Sequence, residues 1–283
     1  IKKCIDDVDI LLTQFGYASW VGDPDDIKLR KAASVEKLKR IQIQAKIFQP
    51  KFIIPFASFV RFCHKDNFYM NDQMNKIDDV EKFILNNTSS IPVILYPGDD
   101  WSGDTKIDNS ITIDKYKSDT EKNLELFDEQ KFIEFDELVN IASAYIENIK
   151  RRNNWNFVKF LHKINFFKTT YIFLKDHNCS FSFNLVDGLK KSNTSKSSAD
   201  IITDSDSLFF VFSFDYGLDT LFVNARFRTS GGKIMNFFRL FLIGTMNNNG
   251  RTFPFGVIGF LFHEKSMWKS KFLEIILGKY TIK

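Results

Sequence analysis

His64 is the most informative titratable residue of the sequence, because it stands where the apolar run KFIIPFASFVRFC (residues 51–63) gives way to a polar segment carrying Lys65, Asp66, Asn67, Tyr69, Asn71 and Asp72. An imidazole at such a junction can move a proton or hold a metal, and the ends of strands in α/β domains are where such groups collect. It can equally be a hydrogen-bonded structural residue, and spacing alone does not separate the two. His162, His177 and His263 fall in an amphipathic stretch, a loop and an apolar run, and none has a second His at ligand spacing. These three are expected to be structural.

Several other chemistries drop out. The acidic stretch at residues 204–207 has the carboxylates of a calcium loop, but Phe209 and Asp215 stand where an EF-hand requires Gly and Glu. SGGK at residues 230–233 lacks the GxxxxGK[ST] frame of a phosphate loop, and neither GxSxG nor HExxH occurs. PGDDWSGD at residues 97–104 gathers carboxylates near a strand end and reads as a solvated turn. The three cysteines, Cys4, Cys63 and Cys179, form no CxxC pair and fit a reducing compartment, so the cytoplasm is expected.

The elements that must position these residues alternate. VDILLTQ (residues 8–14) reads as a short buried strand, followed by a loop rich in Gly, Pro and Asp. A helix follows, capped by Asp25 or Asp26 and ended by Pro50, with Leu38, Ile41, Ala45 and Phe48 on one apolar stripe and Lys37, Lys39, Arg40 and Lys46 facing water. The 51–63 run then reads as a strand, residues 78–85 as a short helix, and IPVILYP and ITID (residues 111–114) complete a strand-and-helix pattern. That alternation argues for a layered α/β domain. Charges dominate residues 116–130, where the domain boundary is placed, giving domains 1–118 and 119–283.

Beyond the boundary, Leu138, Ile141, Tyr145 and Ile149 mark one helix and Trp155, Val158, Leu161 and Ile164 another. FSFNL (residues 181–185) alternates as a strand, LKKSNTSKSS reads as a loop, and SLFFVFSFDYG with LDTLFVNARFR reads as paired strands around a turn at Gly217. An amphipathic stretch covers residues 234–243. This half is expected to be α+β with antiparallel strands.

Composition bounds the partners. Over 283 residues, 39 basic side chains are offset by 35 acidic ones, a net charge of +4, which is too balanced for a nucleic-acid protein. The 44% hydrophobic and 26% charged content is that of a globular chain, with Phe strongly favoured at 32 residues. The uncharged stretch at residues 252–262 is well short of the roughly 20 residues of a membrane span, so no transmembrane segment is expected. The chain starts at Ile1 and opens almost directly into an apolar run, which suggests a start internal to a longer protein.

The order VDILLTQFGYASW, a long helix, KFIIPFASFVRFCHKDNFYMND and IPVILYPGDDW resembles the C-terminal half of metallo-β-lactamase-fold proteins. It is most similar to the branch that contains the metal domain of CMP-N-acetylneuraminate hydroxylase. The resemblance covers residues 7–101, about a third of the chain. It implies half of a four-layer α/β domain in which His64 takes the place of the fold's last metal-ligating His, offering a neutral nitrogen to Zn or Fe. Phe15, Tyr17 and Trp20 after the first strand, and Asn67 and Tyr69 after His64, would then line the mouth of the site and bind substrate, or simply pack their loops.

No HxHxDH cluster occurs in the 283 residues, so the resemblance places the remaining ligands in a missing N-terminal half of the same domain. One His cannot hold a catalytic metal, since zinc sites use three protein ligands and mononuclear iron sites commonly two His and a carboxylate. The chain alone is therefore expected to be inactive and to bind no metal tightly. The implied activity is metal-dependent hydrolysis of a small-molecule substrate. Two alternatives stand beside it: an iron-dependent oxygenase component acting on a nucleotide sugar, and a lipid- or polyprenyl-binding protein using the Phe-rich second domain. For the latter, residues 198–228 look like the strand pair of sterol-carrier-type domains.

Overall fold

A computed structural model of the chain describes residues 8–103, 108–122, 125–229 and 234–256. Cys4, His263 and the SGGK segment lie outside them. The chain divides into two compact units, Ile1–Phe127 and Asp128–Lys283, so the boundary falls inside the charged stretch but after residue 118.

Unit 1 alternates strands and helices: β1 (Ile10–Thr13), α1 (Ile27–Phe48), β2 (Phe52–Pro55), α2 (Ile77–Asn87), β3 (Ile91–Pro92) and α3 (Asn109–Glu121). The strands pair in parallel in the order β1-β2-β3, with Leu11 opposite Ile53 and Phe52 opposite Ile91. The period of two sends Ile53 and Leu11 toward the helices, where they join Ile41, Ala45, Val80, Ile84 and Ile113 in one core. The alternate residues Ile10, Leu12 and Ile91 remain 41, 54 and 53% exposed. The first strand is thus an exposed-faced edge rather than a buried one.

Two expectations fail in this unit. The strand in residues 51–63 ends at Pro55, and residues 56–63 run on without strand pairing; Ala57 takes a left-handed backbone conformation with φ of 55°. His64 therefore follows an irregular loop rather than a strand end. ITID is not a strand but part of α3, whose start is fixed by Asp108 accepting the Ser110 amide at 3.0 Å and whose Thr112, Ile113 and Tyr116 recur at helical spacing.

Unit 2 comprises α4 (Phe135–Arg152), α5 (Trp155–Lys163), β4 (Thr170–Leu174), β5 (Cys179–Asn184), β6 (Gly188–Ser192), β7 (Ile201–Thr203), α6 (Ser205–Ser213), α7 (Gly217–Asn224), β8 (Arg228–Thr229) and α8 (Ile234–Asn248). Its sheet runs β6-β5-β4-β7-β8, antiparallel except for the β4 and β7 pair. LKKS, read as loop, is β6, the hairpin partner of β5.

The expected strand pair at residues 207–228 is overturned: SDSLFFVFS forms α6 and GLDTLFVN forms α7. Asp204 caps α6 by accepting the Ser207 amide at 2.7 Å, and its buried carboxylate meets Arg226 at 3.2 Å. Gly217 begins α7 where a Cβ would lie 2.5 Å from the Phe210 carbonyl oxygen, so only glycine lets the two helices approach. With the strands gone, the sterol-carrier likeness loses its basis. Phe209, Phe210, Phe212, Phe222, Phe237, Phe238 and Phe241 sit on helices, and Phe183, Phe212 and Phe241 pack ring to ring at 4.8–5.7 Å.

Candidate functional site

The loops that follow β1 and β2 emerge from the same end of the parallel sheet, the end where α/β folds gather functional groups. Ser58 ties them together: its Oγ accepts the amides of Phe15 and Gly16, each at 3.0 Å. Asn75 donates to the carbonyls of Phe15 at 2.6 Å and Ser34 at 2.9 Å, drawing the segment before α2 onto the same loop and onto α1.

Arg30 organises the rest. It falls on the buried stripe of α1, four residues before Ser34 and eleven before Ile41, and is fully buried. A buried guanidinium needs partners. It donates to both oxygens of Asp72 at 2.7 Å, to the Asp23 carbonyl at 2.6 Å and to the Pro24 carbonyl at 2.8 Å, and it lies 4.9 Å from the centre of the Tyr69 ring. The bond to Asp72 raises the Arg30 pKa further above its ordinary value, against the opposing effect of burial.

His64 is held by its own loop. Asn67 Oδ1 accepts the His64 amide at 2.9 Å, and the His64 carbonyl accepts the amides of Asn67 at 3.0 Å and Phe68 at 2.9 Å. Asn71 bonds the Phe62 amide at 2.9 Å and the carbonyls of Phe62 and Phe68 at 2.8 Å, closing a short 3-10 turn over Phe68–Asn71. Outside the loop, the Lys65 amide donates to the Phe127 carbonyl at 3.0 Å and the Phe127 amide to the Cys63 carbonyl at 2.9 Å.

Asp66 presents two groups to the imidazole. Its amide donates to His64 Nδ1 at 3.1 Å, and its carboxylate lies 3.6 Å from the same nitrogen. The first contact fixes the tautomer with the proton on Nε2. The second suits the opposite tautomer, or the imidazolium, with Nδ1–H facing the carboxylate; that neutral form carries a lone pair on Nε2, the arrangement found in carboxylate–histidine–metal sites.

The residues expected at the mouth divide. Phe15 and Tyr17 are 2 and 3% exposed and belong to the packing of their loop. The Tyr17 hydroxyl donates to the Met70 carbonyl at 2.6 Å, and burial together with the Asp72 charge pushes its pKa up, so it stays a neutral phenol. Asn67 is buried and its amide oxygen serves the His64 backbone. Tyr69, half-buried, donates to the Gly22 carbonyl at 3.0 Å, and Trp20 is also half-buried. What the structure brings together is a scaffold joining the loops of β1 and β2, with the His64 loop rigidly folded after it. Arg30, Ser58 and Asn75 were not singled out from the sequence; the position of Arg30 on the apolar stripe of α1 was the available sign.

The donor set does not make a metal centre by itself. One imidazole and one carboxylate fall short of the three protein ligands of a zinc site, and among the described residues no three His, Cys, Asp or Glu side chains are grouped as a metal would need. His162 and His177 bond backbone carbonyls, those of Phe167 and Ile133, each at 2.8 Å. None of the described helices is long and apolar enough to cross a membrane. No family model matches the chain, and neither a curated protein nor a solved structure matches it.

Proposed function

We propose that unit 1 is one half of a metallo-β-lactamase-type sandwich and that the chain is the C-terminal portion of a metal-dependent hydrolase, with His64 contributing one imidazole to a centre completed by an upstream segment. The observation that carries this reading is the partly exposed second face of the β1-β2-β3 sheet. Parallel sheets are covered on both faces. Here the helices cover one; on the other the edge-strand residues Ile10, Leu12 and Ile91 stand 41, 54 and 53% exposed, while Ile54 of the central strand is buried and Phe52 packs against Trp101, so a second layer would rest on the edge positions.

In that role His64 would exchange the Asp66 amide, which donates to Nδ1 at 3.1 Å, for the Asp66 carboxylate 3.6 Å from the same nitrogen, since only the tautomer with Nδ1–H offers Nε2 to a metal. Bound metal in such an enzyme would supply an activated water by lowering its pKa toward about 7. The residues described here hold and orient the imidazole. The test is expression from the full reading frame, followed by elemental analysis for Zn and Fe with and without His64→Ala. Stoichiometric metal that falls on substitution is the expected result. A full-length protein without Zn or Fe, or one whose metal content ignores the substitution, would remove the proposal.

A further inference from the structure

We propose that the outer face of α5 is a docking surface for a bilayer that contains anionic phospholipid. The inference is independent of the hydrolase reading, since every residue of the surface lies in the second unit.

Charge along this part of the chain is one-sided. Basic and acidic residues nearly balance over the whole sequence, 39 against 35, yet residues 148–175 hold seven Lys and Arg and no Asp or Glu. α5 lies in the middle of that window. Arg151, Lys159, Lys163 and Lys168 are exposed and form no ion pair among the described residues. Their charge is complementary to a sheet of lipid phosphates.

Helical geometry gathers two of these lysines and two large apolar side chains on one arc. Lys159, Lys163, Asn156, Phe160 and Ile164 fall within about 140° of the helix circumference. All five are exposed, Phe160 at 52% and Ile164 at 54%, while Val158 on the opposite side is fully buried. Half-buried Phe157 supports the apolar edge of the arc, its ring centre 6.1 Å from that of Phe160.

Both ends of α5 are fastened. Asn154 accepts the Phe157 amide at 3.1 Å, and Asn165, left-handed with φ of 60°, lets the Phe166 amide reach the Leu161 carbonyl at 2.9 Å. The Phe253 carbonyl accepts the Asn154 amide at 3.0 Å, which brings Phe255, two residues on and 79% exposed, toward the start of the same helix.

The arrangement is that of an interfacial helix: ammonium groups on flexible stems for the headgroups, and beside them large apolar side chains that reach the acyl boundary. Nine residues are far too few to cross a bilayer, so α5 would lie along its surface. A nucleic acid shares the negative charge, but it gains nothing from the aliphatic Ile164, and one exposed ring on the arc makes no stacking platform.

Sedimentation of the whole chain with vesicles tests the assignment, using phosphatidylcholine alone and phosphatidylcholine with about 30% phosphatidylserine. The expected result is saturable binding to the mixed vesicles that weakens as salt rises, and binding to phosphatidylcholine alone that is weaker by about tenfold or more. Lys159→Gln with Lys163→Gln should weaken binding to the mixed vesicles by about tenfold or more, and Phe160→Ser with Ile164→Ser by a similar factor. Lys39→Gln with Lys46→Gln removes the same charge from the exposed side of α1 and should change nothing. Far-UV circular dichroism confirms that each variant retains its fold, and the single substitutions replace any pair that does not. No binding to the mixed vesicles, an equal loss from the α1 and α5 lysine pairs, or binding of poly(U) RNA in place of the vesicles would overturn the proposal.

Discussion

The Arg30 guanidinium and the Asp72 carboxylate meet fork to fork, Nε to Oδ1 and Nη2 to Oδ2, each at 2.7 Å and across 42 residues of sequence. Arg30 is fully buried while the Asp72 side chain is 32% exposed, so the pair sits at the edge of the core with the cation inward. Asp72→Asn would leave a buried positive charge without its counter-ion. The expected cost is about 2–3 kcal/mol, below that of a wholly buried pair because Asp72 is partly hydrated. Urea denaturation of the two proteins measures it.

Ser58→Ala removes the one acceptor shared by two buried amides. An unsatisfied buried donor costs about 1–3 kcal/mol, and rearrangement of the loop limits the sum, so a loss of about 2–3 kcal/mol is expected. Amide hydrogen exchange should accelerate first at Phe15 and Gly16, the two donors. Unchanged exchange at both would show that the Ser58 tether is dispensable.

Asp78 gives unit 1 an acid-sensitive link between α2 and α3. Burial works against its ionisation, but Lys117 on α3 and Lys82 on α2, each 3.6 Å from its carboxylate, prevail and lower its pKa. A carboxyl lowered in the folded state stabilises above its unfolded pKa of about 3.9 and loses that contribution as pH falls through the folded value. Asp78→Asn should therefore cost roughly 0.5 kcal/mol at neutral pH and nothing once the wild-type carboxyl is protonated. Denaturant titrations at pH 7 and pH 2.5 separate the two.

Gly217→Ala places a methyl against backbone that cannot swing aside, with the Phe210 carbonyl oxygen at 2.5 Å and Val211 Cα at 2.7 Å. Overpacking of this kind costs about 1–3 kcal/mol, and the upper end is expected because both neighbours are main chain. Thermal melts should fall accordingly, with loss of near-UV dichroism from the adjacent Phe residues.

The helix α1 was legible because its stripe repeats over many turns, and Ile41 and Ala45 are buried as the spacing predicts. α6 was not. The five consecutive apolar residues Leu208 to Phe212 have the composition of a strand, and periodicity cannot choose within an unbroken apolar run. The deciding signal lay just before it, in Asp204 and Ser207, whose spacing is that of an N-cap; those residues drew attention as a calcium loop instead. ITID failed similarly, its four residues lying near the start of a longer helix capped by Asp108.

The site divides along physical lines as well. His64 and its polar loop were visible because residue type and the change from apolar to polar are both local. Arg30 and Asp72 could not be paired from sequence, since their contact depends on how α1 and the loop after β2 come together in space. Phe15 and Tyr17 looked like a binding rim only as long as burial was unknown.

The exposed edge-strand positions of the β1-β2-β3 sheet separate two kinds of constraint on sequence. Ile53 and Ile41 must stay apolar for the unit to fold at all. Ile10, Leu12 and Ile91 add little to the unit's own stability while they are exposed, so polar replacements there should be nearly silent in its unfolding curve. The layer proposed above would rest on those three positions, so polar replacements there would register in its attachment rather than in the stability of the unit.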